Sequence, residues 1–75
     1  MTPRQYYKSN TREASEALAL AAGTTFGNFQ QIALANGAVR RKLARRLADE
    51  SNGQLTEMEI LYQEDIEAKH KDDAA

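Results

Sequence analysis

Cysteine is absent from these 75 residues, and so is tryptophan. Without thiols the chain can form neither a disulfide framework nor a thiolate metal site. Its single imidazole, His70, cannot build a zinc site of the usual three or four protein ligands. Ser9, Ser15 and Ser51 have no partner set for nucleophilic work. The acid-rich C-terminal part contains no Gly-bearing calcium loop. No metal, no cofactor and no enzymatic activity are therefore expected. No apolar run approaches the roughly 18 residues of a membrane span, and the start of the chain lacks a signal-peptide pattern. The expected setting is cytoplasmic, with no membrane partner. Strand signals are missing too. Only Tyr6, Tyr7, Phe26, Phe29 and Tyr62 are aromatic, and Ala supplies much of the apolar content. That composition predicts a thin core with closely approaching helices, near the lower length limit for an autonomous fold. Dimerisation would add burial.

Helix signals fill the chain and predict one all-α domain, residues 1–75, of five helices. "TPRQYYKS" begins with Thr2 as cap, Pro3 in the first turn and Gln5 placed to close a capping box. "NTREASEALALAAG" offers Asn10 as cap, and Gly23 as a stop that tolerates positive φ. The third helix, about 25–34, starts near Thr24 or Thr25 and breaks at Asn36-Gly37. The fourth, "AVRRKLARRLADES", spaces Val39, Leu43 and Leu47 at i, i+4, i+8 and is stopped by Asn52-Gly53. The fifth, about 56–70, opens with a Thr56-to-Glu59 capping box and carries Met58, Leu61, Tyr62 and Ile66 as a stripe. Lys69 and Lys71 suit its C-terminal dipole, and a frayed tail at 72–75 is expected.

Charge is segregated. The formal net charge is only −1, yet Arg40, Arg41, Lys42, Arg45 and Arg46 form a basic cluster without an acid, and acids dominate from Asp49 onward. The stretch from Gly23 to Val39 has no charge at all.

The second and third helices together have the steric pattern of a helix-turn-helix. Small Ala19 permits close approach, Gly23 makes the turn, and Phe29 with Ile32 seats the third helix on the core. Phe26 is expected against Tyr6 or Tyr7, with contact to a thymine methyl as the alternative. Thr25, Gly27, Asn28, Gln30 and Gln31 then fall on or beside an outward, amide-rich face. Gln can pair bidentately with N6 and N7 of adenine, so these five are the candidate base contacts. Arg40, Arg41, Lys42 and Arg45 are the candidate phosphate contacts, and Arg4 and Lys8 are further candidates for the DNA backbone. Met58, Leu61, Tyr62 and Ile66 are the candidate dimer surface.

Through "PRQYYKS", "ALAAGTTFGNFQQIA" and "LARRLADESNGQLTEMEI", the chain resembles the Cro- and repressor-like regulators of phages and prophages, and most closely the YdaS-type, antitoxin-like family. The resemblance covers roughly residues 3–60. Where such proteins usually have a basic, Pro-containing connector after the third helix, this chain has "LANGAV". The resemblance implies a lambda repressor-like or Cro-like fold and a homodimeric repressor on a pseudo-palindromic double-stranded DNA operator. The alternative expectation is a protein-binding module of the same fold, an antitoxin-like or phage-encoded inhibitor of a host protein.

Overall fold

Six helical segments make up the described residues, with no strand among them: α1 (Pro3–Ser9), α2 (Arg12–Ala21), α3 (Phe26–Ala35), α4 (Arg41–Glu50), α5 (Glu57–Leu61) and α6 (Gln63–Ala74). This computed structural model describes the backbone of residues 1–74 and side chains as far as Lys69. The readings of the His70 and Lys71 side chains fall outside the described side chains; α6 continues through Ala74, where the sequence leads to an end near 70 and a frayed tail from 72, and Ala75 lies outside the described residues. No helix among the described residues is long and apolar enough to cross a membrane.

Local chemistry sets most of the boundaries. Thr2 and Gln5 close the capping box that starts α1, with Pro3 in the first turn where its missing N–H costs nothing. The cap of α2 is Thr11, whose hydroxyl accepts from Ala14 N–H, and not Asn10 as expected. Asn10 instead ends α1: its amide donates to the Tyr6 carbonyl. The α4 helix also starts later than the sequence pattern suggests. Arg40 is extended, at φ −82 and ψ 152, so residues 38–40 belong to the connector and helix begins at Arg41. Asn52 and Gly53 both take positive φ where that helix stops.

The expected fifth helix is two. Thr56 and Glu59 form the predicted capping box, but Tyr62 leaves helical geometry at φ −121 and ψ 26. Tyr62 N–H still closes α5 onto the Met58 carbonyl, and its own carbonyl accepts from Ile66 N–H to begin α6. The bend brings buried Gln63 to the end of α3. There its amide donates to the carbonyls of Ile32 and Ala33 and to Asn36 Oδ1, while its Oε1 accepts from Arg4 N–H. At the far end of the capping box, burial pushes the Glu59 carboxyl up, but the N-terminal ammonium and Thr56 outweigh it and hold it below the usual carboxylate range.

The core is as thin as the composition implies. Leu18, Phe29, Leu47, Leu55 and Ile60 supply its bulk, and Ala19, Ala22 and Ala44 let the backbones approach. Tyr6 meets Phe29 edge to face, with ring centroids 6.1 Å apart, a pairing worth roughly 0.5–1.5 kcal/mol beyond its buried area. Leu43 and Val39 pack half-buried against this cluster.

Candidate nucleic-acid interface

The turn between α2 and α3 is a complete Schellman motif. Gly23, at φ +82, donates to the Leu20 carbonyl, and Thr24 N–H reaches back to Ala19. Only a residue that accepts a left-handed backbone makes this reversal without strain. Thr25 then caps α3 by accepting from Asn28 N–H, and the Asn28 amide is tied to the Thr24 hydroxyl at 2.9 Å.

Phe29, Ile32 and Ala33 are the buried side of α3. Gly27, Asn28 and Gln31 lie on its exposed side. The helix is clamped at its far end by side chains from two other elements. Arg4 donates to the carbonyls of Ala33 and Leu34 and pairs with Glu67, beside the Gln63 bonds already described. Carbonyls at the end of a helix have no intrahelical partner, and a cation there also meets the negative end of the dipole. Arg4 is therefore bound internally, and its candidacy for DNA backbone contact is withdrawn.

The five candidate base contacts differ in availability. Gln31 is exposed and makes no side-chain hydrogen bond among the described residues. Gln30 is half-buried and donates to Tyr7 Oη at 3.2 Å. Thr25 and Asn28 are exposed but engaged in the turn, and Gly27 has open space where a Cβ would stand. Phe26 packs on Tyr7, as expected, with Arg12 above its ring at 4.8 Å from the centroid.

All five cations of the basic cluster are exposed, and none has a carboxylate partner among the described residues. Four of them, all but Arg40, divide between two places. Arg46 lies against the turn, its Nη1 3.4 Å from where a Cβ on Gly23 would be. Arg41, Lys42 and Arg45 line a groove of about 670 Å³ with Glu57, Met58, Leu61 and Tyr62. The expected dimer stripe is divided as well, because the bend at Tyr62 changes its phase. Met58 and Tyr62 are exposed, Leu61 is half-buried against the core, and Ile66 does not line the groove.

Arg46 is not among the phosphate contacts expected from the sequence. Its position one turn beyond Lys42 was visible, but its approach to Gly23, 23 residues away in the chain, has no local signal. No protein-family profile, curated protein or solved structure matches the chain.

Proposed function

We propose that this chain binds double-stranded DNA sequence-specifically through a helix-turn-helix made by α2 and α3. In this reading it is a small transcriptional regulator of the Cro-like, YdaS-type kind, a repressor of phage or prophage character and not an enzyme. The observation that carries the reading is the neutral exposed side of α3, where, among the described residues, Gln31 has no side-chain partner beside Gly27 and Asn28 and Arg46 has no carboxylate partner at the turn that precedes it.

The proposed mechanism is steric. Gln31 reads a base edge in the major groove, with Gln30, Asn28, Thr25 and the bare backbone at Gly27 shaping the approach. Phosphate contact is assigned first to Arg46 and Arg40, the two cations that do not line the groove, with Arg41, Lys42 and Arg45 as the remaining candidates. The start of α4 carries Arg41 and Lys42 at the positive end of its dipole and no acid in its first turn. That arrangement is unfavourable in isolation and suits a helix end that meets an anion. A homodimer, joined through Met58, Leu61 and Tyr62, would seat two such helices about 34 Å apart over a pseudo-palindromic operator and block polymerase.

A second reading, an antitoxin-like module that binds a host protein, is favoured by the exposure of Met58 and Tyr62, at 65% and 48%. Electrophoretic shifts of the DNA upstream of the chain's own coding sequence, titrated with salt, separate the two. A shift that excess random duplex does not remove is the expected result. No shift even at low salt would refute DNA binding and leave the protein-binding reading.

A further inference from the structure

The groove between α4 and α5 carries charges of opposite sign on its two sides. Arg41, Lys42 and Arg45 come from α4, Glu57 from the first turn of α5, and Met58, Leu61 and Tyr62 give the apolar lining. Among the described residues the ion pairs are Met1 with Glu59, Arg4 with Glu67 and Arg12 with Glu16. Neither the three groove cations nor Glu57 takes part in one. An apolar surface bordered by unpaired charges of both signs has the composition of an interface core with its polar rim.

We infer that this groove is a two-fold interface whose occupant is a second copy of the chain, the α4 cations of each copy facing Glu57 of the other. A contact between identical copies related by a two-fold axis must be self-complementary: if residue i meets j, then j meets i. A half-turn brings the basic side of one groove to the acidic side of the other and stacks Met58 and Tyr62 of both copies between them. An acidic segment of a foreign protein would satisfy the cations and leave Glu57 facing like charge. A DNA backbone would do the same and has no use for Met58 and Tyr62. The inference rests on the dimer proposed above and defines its interface: α4 enters it, and Ile66 does not.

The consequence for DNA binding is a division of labour within the basic cluster. Arg41, Lys42 and Arg45 are spent on the partner copy, and phosphate contact falls to Arg40 and Arg46.

Two charge-reversed variants test the pairing in the absence of DNA. One carries Arg41→Glu with Arg45→Glu, the other Glu57→Lys. In a two-fold pair, each variant alone opposes like charges, whereas the mixture opposes unlike charges at both ends of the interface. By sedimentation equilibrium, the wild type should dimerise, each variant alone should dimerise at least about tenfold more weakly, and an equimolar mixture should recover a heterodimer. A wild type that stays monomeric at sub-millimolar concentration, variants that self-associate like the wild type, or a mixture that remains monomeric would each overturn the proposal.

Dilution of the wild type followed by amide chemical shifts gives a readout that does not depend on the variants folding. Changes should centre on Arg41, Lys42, Arg45, Glu57, Met58 and Tyr62. Changes centred elsewhere would also overturn it. Because neither measurement involves DNA, failure here is distinct from failure of base reading by α3.

Discussion

Gly27 sits in the first turn of α3, at ordinary helical φ, with nothing within 4 Å of a Cβ built on it. A methyl group there meets no obstacle and restricts the unfolded chain, so Gly27→Ala should stabilise the fold by roughly 0.5–1 kcal/mol. Thermal unfolding would check the sign. The same methyl stands on the side assigned to DNA, so operator affinity should fall while stability rises. A variant that gained stability and kept full affinity would remove Gly27 from the interface. Gly37 is a different case: a Cβ there would stand 3.1 Å from the carbonyl carbon of Gln31. Contact with that backbone, not bare surface, accounts for the glycine after α3. The residues nearest the proposed base edges thus differ in freedom, with Gln31 open and Asn28 already committed to Thr24.

Gln63 makes the connections that hold α3 at the level of elements. It satisfies the carbonyls of Ile32 and Ala33, which lie 31 and 30 positions earlier in the chain, and accepts from Arg4 N–H at 2.7 Å. Gln63→Ala would leave the Ile32 carbonyl and Arg4 N–H without these partners, while the Ala33 carbonyl keeps the Arg4 guanidinium; the expected cost is about 1–3 kcal/mol in denaturant unfolding. A loss within error of zero would show that α3 is positioned by Phe29 and Ile32 alone. Helix starts and stops were largely legible in the sequence, because Thr2, Thr25, Thr56, Gly23 and Asn36 act within a turn of themselves. The bend at Tyr62 was not. Between Tyr62 and Glu64, a glutamine looks like one more solvated helix position, and its true partners lie on α1 and α3. The same distance effect hid the internal role of Arg4. Asn10 and Thr11 were separable only by the geometry at the junction, since either can cap a helix.

On the scale of the whole molecule, a net charge of −1 conceals an uneven distribution. The basic cluster could be found in the sequence as a run, but not its division into a cation at the α2–α3 turn and three in the groove. That division depends on how α4 packs between α2 and α5. Single substitutions therefore carry different consequences. Loss of a base contact weakens one sequence, whereas loss of a phosphate contact weakens all sequences and lowers the salt dependence. The most direct measurement is the affinity of the wild type, Gln31→Ala and Arg46→Ala for a duplex selected from a random pool and for random duplex, each across a range of salt. Gln31→Ala should lose about 1–3 kcal/mol on the selected duplex and little on random DNA. Arg46→Ala should lose affinity for both and reduce the salt slope by about one. Equal losses for Gln31→Ala on the two duplexes, or no duplex preferred over the random pool, would contradict the claim that the exposed side of α3 reads DNA sequence.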